Sequence, residues 1–251
     1  MLTSQRKRYI LDVLQREGQV VARHISQELN LSEDTIRRDL RELAQEGLLQ
    51  RVHGGALPAS PAVADFAGRT ALSVPGKQAI GRAAAEMIRP GQIVFLDGGT
   101  TAVQIARHLP HGLQATVITH SPTIAVELVH LPAIEVILIG GRLFRHSIVT
   151  VGTAALEALS RIRADIYFMG VTGVHPQAGL STGDLEEAYM KQAISGIAAE
   201  TYVLASREKL GAASPYIVTA LADVTGLIVE RDLPEQTLQP FRELGLTIIE
   251  A

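Results

Sequence analysis

Apolar residues follow two rhythms along this chain, and the change falls near residue 77. Before it the spacing is helical. Tyr9, Ile10, Val13 and Leu14 form one stripe, which Gly18 ends; Val20-Val21 lead into a second pattern over residues 22–29, with Ile25 and Leu29 four apart. Asn30-Leu31 make a tight turn, and Ser32 is placed to cap a third helix whose Ile36, Leu40 and Leu43 must face inward. Glu33, Asp34 and Thr35 fill the first turn of that helix, while Arg37, Arg38 and Arg41 fall beside or opposite the apolar stripe. Helix, helix, short turn, helix is the helix-turn-helix layout, whose last helix enters the major groove N-terminus first. In "EGLLQRVHGGAL", Gly47 stops the helix, Leu48-Leu49 and Val52 alternate with Gln50 and Arg51, and Gly54-Gly55 turn the chain. This predicts a small β-wing able to rest on a phosphate backbone.

From Lys77 onward, short apolar runs at 93–96, 115–119, 135–140, 165–170, 201–205 and 226–230 are separated mostly by helical patterns at 78–88, 102–109, 123–128, 153–160 and 185–199. Continuous rather than alternating apolar strands with helices between them predict a largely parallel sheet covered on both faces. Between the two regions lies "LPASPAVADFAGRTALSVPGK", with three prolines and no clear period. The expected organisation is therefore a winged helix-turn-helix over residues 1–57, a linker over 58–76 and a larger α/β domain over 77–251.

Composition narrows the classes. With 251 residues, 47% of them hydrophobic, the chain can bury one large core and a small second one. Cys 0 excludes disulfides, thiolate metal sites and a cysteine nucleophile, and fits a reducing cytoplasm, the expected location. Asp12, Gln15, Arg16 and Glu17 interrupt any apolar run near the start, so no signal peptide is expected. No stretch approaches the roughly 18 apolar residues of a membrane span. The net charge of -3 argues against a globally basic nucleic-acid binder, and residues 1–57 carry nine Lys/Arg against eight Asp/Glu. A DNA contact must rest on where the charges sit. One bidentate arginine–guanine pair discriminates by roughly 1–3 kcal/mol, so a few well-placed arginines suffice. The competing reading is a solvated face whose arginines pair with Asp39, Glu42 and Glu46.

In parallel sheets, ligands bind at loops beyond the carboxyl ends of the strands. The first such loop, in "FLDGGTTAVQIARHL", runs through Asp97-Gly98-Gly99-Thr100-Thr101 straight into a helix. Glycines let backbone approach a ligand, and threonine hydroxyls and free N–H groups meet the positive end of a helix dipole, so an anion, most simply a phosphate, is the expected guest. The alternative is a tight turn with Thr100 as a plain cap. Neither Gly-x-Gly-x-x-Gly nor a Walker lysine is present. Other strand ends offer Thr119-His120-Ser121, Gly140-Gly141-Arg142 and "GVTGV" with Thr172. His120 reads as a capped surface residue rather than a ligand contact. Glu187 and Lys191, four apart, are either site residues or a surface pair, and Lys209 follows a late strand. Arg69 is either a solvated charge or docked on the larger domain.

The stretch "SEDTIRRDLRELAQEGLLQRVHGGA", residues 32–56, resembles the signature of the DeoR/GlpR family of bacterial transcription regulators, winged helix-turn-helix repressors of sugar operons. The resemblance and the layout together assign DNA contact to Ser32, Glu33, Asp34, Thr35, Arg37, Arg38, Arg41, Arg51, His53 and Gly54. The effector-binding half of such regulators carries LDxGTT, TxS, GG, DxxFxGxxG, EAxxK and a late lysine-glycine pair. Here these are Leu96-Asp97-Gly99-Thr100-Thr101, Thr119-Ser121, Gly140-Gly141, Asp165-Phe168-Gly170-Gly173, Glu187-Ala188-Lys191 and Lys209-Gly211. The resemblance implies a domain similar to ribose-5-phosphate isomerase that binds a phosphorylated sugar or related metabolite. Its contacts would be Asp97, Gly98, Gly99, Thr100, Thr101, Thr119, Ser121, Gly140, Gly141, Thr172, Glu187, Lys191 and Lys209. One departure is visible: many members have an aspartate before the terminal serine-lysine, where this chain has Ser206, Arg207 and Glu208.

The expected function is a regulator, a repressor of a carbohydrate-utilisation operon, that binds double-stranded operator DNA under control of that effector. It is expected to be a homo-oligomer, dimer or tetramer, because one helix reads only a few base pairs. No cofactor, metal or membrane contact and no catalysis are expected. Two alternatives stand beside it. A sugar-phosphate isomerase with a DNA-binding appendage needs a general base, for which Asp97, Asp165 and Glu187 are available. A nucleoid-type protein with no effector hardly uses the glycine-threonine loop.

Overall fold

The computed structural model describes residues 2–251. At the amino end α1 (Thr3–Glu17), β1 (Val20–Val21), α2 (Ala22–Glu28), α3 (Glu33–Gln45), β2 (Leu49–Val52) and β3 (Gly55–Pro58) enclose a small core of their own. Ile10, Val13, Leu14, Val20, Ile25, Ile36, Leu40, Leu43 and Leu49 build it. Gly18, in the left-handed region at φ 70°, closes α1 by donating its N–H to Leu14 O. Ser32 caps α3, its Oγ accepting from Thr35 N at 3.3 Å.

Two local expectations change. Val20-Val21 do not enter α2 but form a two-residue strand, pairing Val20 with Ala56 and Val21 with Gly55. Gly55 is accordingly a strand residue: a Cβ there would meet Val20 O at 1.8 Å, so only glycine permits the crossing. The wing turn is His53-Gly54, between the paired Val52 and Gly55.

Residues 58–76 are ordered along the larger domain. A 3₁₀ turn, Pro61–Val63, is followed by α4 (Phe66–Thr70), capped by Asp65, whose Oδ1 accepts from Gly68 N at 2.8 Å. Ala59 bridges to Ala213, the Ser60 hydroxyl donates to Thr172 O, and Phe66 N donates to His146 O at 2.8 Å.

The larger domain runs α5 (Val74–Met87), β4 (Ile93–Leu96), α6 (Thr100–His108), β5 (Ala115–Thr119), α7 (Pro122–Leu128), β6 (Ile134–Leu138), β7 (Arg142–Phe144), β8 (Val149–Val151), α8 (Thr153–Leu159) and β9 (Ala164–Gly170). It continues β10 (Gly173–His175), β11 (Gly179–Thr182), α9 (Leu185–Ser195), β12 (Ala198–Ala205), β13 (Tyr216–Thr219), β14 (Gly226–Val229), α10 (Glu235–Glu243) and β15 (Thr247–Glu250). Seven strands form one sheet in the order β15-β14-β12-β9-β4-β5-β6, every neighbour pair parallel. Alternate strand residues face opposite layers. Val94, Leu96, Val117 and Phe168 pack under α5, α6 and α7, while Phe95, Ile118, Tyr167 and Met169 pack under α8, α9 and α10. Strands β10, β11 and β13 make a separate antiparallel sheet, and β7 with β8 a hairpin.

From β4 the chain winds outward through β5 to β6; it then returns to the other side of β4 at β9 and winds away through β12, β14 and β15. The carboxyl ends of β4 and β9 are thus the point where the winding reverses, and crevices open there in such sheets.

Candidate functional site

Two surfaces carry the chemistry. The first is α3 with the wing. Its orientation is fixed from α1: the Arg6 guanidinium grips the buried carboxylate of Asp39, with Nη2 to Oδ1 at 2.9 Å. Lys7 Nζ meets Glu42 at 3.1 Å and Glu46 at 2.9 Å. The three carboxylates that could have neutralised the helix's arginines are therefore spent on α1. Arg37 pairs with Glu33 at 2.8 Å, whereas Arg38 and Arg41 are exposed and in no ion pair among the described residues. Asp34, Arg37, Arg38 and Arg41 lie on the face opposite Ile36, Leu40 and Leu43, since residues three and four apart share a helix face. Arg51 on β2 and His53-Gly54 at the wing turn are also exposed.

The second surface is the crevice at the reversal point. It is organised by Asp97, fully buried at the end of β4. Its Oδ1 accepts from Gly98 N and His120 Nε2, each at 2.8 Å. Its Oδ2 accepts from Lys191 Nζ at 2.7 Å, Gly170 N at 2.8 Å and Tyr167 Oη at 3.0 Å. Burial alone would raise this carboxyl, but Lys191 and His120 outweigh it and hold it well below the usual carboxylate range. The Tyr167 hydroxyl is pushed well above its ordinary value by burial and by the Asp97 charge, so it stays a donor. One carboxylate thereby ties the ends of β4, β5 and β9 and the middle of α9 into a rigid floor.

Above this floor Gly98, Gly99, Thr100, Thr101, Thr172, Glu187, Lys191 and Lys209 line a narrow cleft. Gly99 caps α6 at φ 113°, a conformation side chains rarely adopt, and no side chain caps that helix, leaving its first N–H groups available. Arg69 and Lys77 also line the cleft, with Ser147 and Glu208. The cations Arg69, Lys77, Lys191 and Lys209 thus outnumber the lining carboxylates Glu187 and Glu208, four to two. Only Lys191 has a carboxylate within ion-pair distance among the described residues, and that is the floor's own Asp97. Lys77 Nζ reaches Arg69 O at 2.6 Å, and Lys209 Nζ reaches Leu204 O at 2.9 Å. Burial lowers Arg69 and Lys77, and pushes Lys209 down to about 8.

Comparison with known proteins gives this pairing of surfaces a family. Residues 6–61 match the DeoR-like helix-turn-helix domain, and residues 73–231 match the DeoR C terminal sensor domain. The chain belongs to the DeoR family. The HTH-type transcriptional regulator GlpR of Haloferax volcanii is 32% identical over 100% of this chain and 98% of its own length. The putative aga operon transcriptional repressor of Escherichia coli O157:H7 is 29% identical, covering 98% of this chain and 93% of that protein. Among solved structures, ribose 5-phosphate isomerase A from Methanocaldococcus jannaschii superposes at TM-score 0.40 with 19% identity, over 53% of this chain and 52% of its own; no chemistry is taken from so loose a likeness. This DeoR-family chain is a transcription regulator, and no helix in its described residues is long and apolar enough to cross a membrane.

Within the DeoR sensor domain, the residues expected at the ligand fall into three groups. Gly98, Gly99, Thr100, Thr101, Thr172, Glu187, Lys191 and Lys209 line the cleft. Asp97, Thr119 and Ser121 are fully buried behind it: Thr119 Oγ1 accepts from Ser121 N at 3.1 Å, and Ser121 Oγ meets Thr123 Oγ1 at 2.7 Å. Gly140 and Gly141 are exposed beyond β6 and line no part of it. His120 is not a surface residue: it is fully buried, with Nδ1 to Thr150 O at 2.9 Å and Nε2 on Asp97. Glu187 and Lys191 are not a surface pair either, since both are buried. Asp165 sits at the opposite end of the sheet, where its Oδ2 accepts from Ile93 N at 2.7 Å. Lys77, Ser147 and Glu208 line the cleft beyond the residues that the motifs mark. Lys77 had a signal, because with Ile80, Gly81 and Ala84 it occupies the buried stripe of α5, an unusual place for a lysine. Ser147 had none. Glu208, in the segment where the chain departs from the family pattern, accepts from Ser73 Oγ at 2.6 Å and Ser206 Oγ at 2.7 Å.

Proposed function

We propose that this DeoR-family regulator represses a carbohydrate-utilisation operon and that a phosphorylated sugar or related metabolite, bound in the cleft of the larger domain, sets its affinity for operator DNA. The observation that carries the reading is the set of three cations, Arg69, Lys77 and Lys209, around the uncapped start of α6, none with a carboxylate partner within ion-pair distance among the described residues. An unpaired buried charge costs several kcal/mol, and a phosphate offsets that cost while satisfying the free N–H groups. Glu187 and the Thr100 and Thr101 hydroxyls suit the hydroxyls and oxygens of a small polyol, while the Thr172 hydroxyl is held by Ser181 O at 3.2 Å and Ser214 Oγ at 2.7 Å.

On the DNA side, Ser32 to Thr35 lead α3 into the major groove, and Arg38 and Arg41, free of ion pairs, read base edges. Arg51, His53 and Gly54 approach the backbone. Residues 1–57 form the reading head, 58–76 the connection and 77–251 the sensor. Reading a specific operator takes at least a dimer, and the site of action is the DNA of the cytoplasm. The cleft serves recognition rather than turnover. Of the three carboxylates that could act as a base, Asp97 is saturated by five donors, Asp165 lies at the far end of the sheet, and Glu187, which lines the cleft, already accepts from Ser147 Oγ at 3.2 Å.

A thermal-shift panel of sugar phosphates against their unphosphorylated parents tests this. A matching ligand at a hundred times its Kd stabilises by about 2.7 kcal/mol, or roughly 5–10 °C in a domain of this size. The same compound should change retardation of DNA from the protein's own upstream region. If the unphosphorylated sugar shifts the melting temperature as far as its phosphate does, the anion reading is wrong.

A further inference from the structure

We propose that Arg69, carried by the segment between the reading head and the sensor, is itself a ligand of the effector's phosphate, so that an occupied cleft clamps this segment onto the sensor. The inference rests on the effector reading above and adds the residue that conveys occupancy toward the DNA.

Among the described residues, Arg69 Nε is the one buried side-chain nitrogen or oxygen without a hydrogen-bond partner. Its Nη2 donates to Ser147 Oγ at 3.2 Å, and Ser147 in turn donates to Glu187 Oε2 at 3.2 Å. The Arg69 side chain lines the same cleft as Gly98 to Thr101. Lys77 and Lys209 can relieve the cost of burial by releasing a proton. A guanidinium cannot, so an acceptor must come to it. Its planar fork fits two oxygens of one phosphate, which an ammonium cannot match.

The placement of Arg69 gives that contact a consequence. It belongs to α4, between the wing strand β3 and the sensor helix α5. The same segment touches the cleft wall a second time, where Ser60 donates to the carbonyl of Thr172, itself a lining residue. It is pinned between these points by Phe66 N to His146 O at 2.8 Å and by Lys77 on Arg69 O at 2.6 Å. A phosphate held jointly by Arg69 and the start of α6 adds a further tie from the connecting segment to the sensor. Stiffening a segment that the reading head depends on is how occupancy reaches the DNA without the ligand touching it.

The experiment uses the full chain with glycerol 3-phosphate, glucose 6-phosphate, fructose 1-phosphate and inorganic phosphate as probes, read by calorimetry and by amide hydrogen exchange of residues 58–76. In the wild type, at least one phosphorylated probe binds and slows exchange in that segment several-fold. Arg69→Met, which keeps the apolar stem, binds that probe roughly ten- to a hundredfold more weakly. At saturating probe it no longer slows exchange there. Arg69→Lys, which keeps the charge and loses the fork, falls between the two, and it carries the test if Arg69→Met fails to fold. Undiminished affinity together with undiminished protection in the folded variant overturns the inference and leaves the effector reading standing. If no phosphorylated probe binds the wild type, the effector reading falls and takes this inference with it.

Discussion

The α3 face proposed to read DNA and the cleft proposed to hold the effector both gather cations, and they treat their carboxylates in opposite ways. On α3 the acids are drawn off: Asp39, Glu42 and Glu46 are held by Arg6 and Lys7 of α1, which frees Arg38 and Arg41 toward solvent. In the cleft the key acid is drawn in: Asp97 takes Lys191 into the floor, and the cations left unpaired face inward. The first arrangement costs little in stability because water solvates the free arginines. The second is costly until an anion arrives. Under the proposed function, the α3 arginines meet DNA directly from solvent, whereas the cleft's cations gain their partner when an anion binds.

The largest expected effect lies in that floor. Asp97→Asn removes the charge that holds Lys191 and turns one acceptor into a donor facing His120, Gly98, Gly170 or Tyr167. Breaking a buried pair from one side costs about 3–5 kcal/mol, so chemical denaturation should show a loss of this order. A loss below about 1 kcal/mol would show that the hub is solvated or slack, and the contrast with α3 would collapse.

Next comes the double variant Thr100→Val, Thr101→Val. Hydrogen bonds to a charged group contribute about 1.5–3 kcal/mol each, so effector affinity should fall more than a hundredfold while affinity for operator without effector stays unchanged. Retention of the effector response would move the anion away from α6. The third effect is smaller and falls on the other surface. Arg38→Ala should weaken specific operator binding by roughly 1–3 kcal/mol, or about five- to 150-fold, and shift stability by less than about 0.5 kcal/mol. Arg37→Ala should cost less, since Arg37 already spends part of its fork on Glu33 at 2.8 Å. Gel retardation at fixed salt measures both, and equal losses would deny that the Glu33 pair matters.

How legible each surface was follows from how its contacts are made. Ser32, Ile36, Leu40 and Leu43 declare α3 through spacing within thirteen residues, because capping and periodicity are local. What spacing could not show was the draw of α1 on Asp39 and Glu42, a contact between helices. The six apolar runs gave most of the sheet. Its seventh strand, β15, and α10 went unseen, because Pro240 interrupts the helical pattern and only Leu238 and Phe241 mark its buried side. The glycine-threonine loop was readable as one continuous stretch. Its partners arrive from residues 69, 77, 147, 187 and 209 through folding alone. For His120 the sequence carries no signal, because a histidine between a strand and a helix gives no hint that Asp97 and Thr150 wait on its two nitrogens.

The smallest effect is in pH, and it tests most directly whether an anion meets the cations of the cleft. Lys209 titrates at about 8 in the empty protein, pushed down chiefly by burial and by Lys77, Arg69 and Lys191, against the pull of Glu208. In the unfolded chain it titrates near 10.5. Between those values the unfolded chain binds more protons than the folded one, so this group makes the empty protein more stable as pH rises through that window. A phosphate ester is already fully ionised there, its second proton leaving near 6. It binds best to the protonated lysine, so its affinity is full below about pH 8 and declines above, by at most tenfold per unit. The melting temperature of the empty protein and its gain on adding effector should thus move in opposite directions from pH 8 to 9.5. Lys209→Met should flatten both trends. If the gain on adding effector stays constant across that range in the wild type, Lys209 does not face the anion, and the cleft's positive character must come from Arg69 and Lys77 alone.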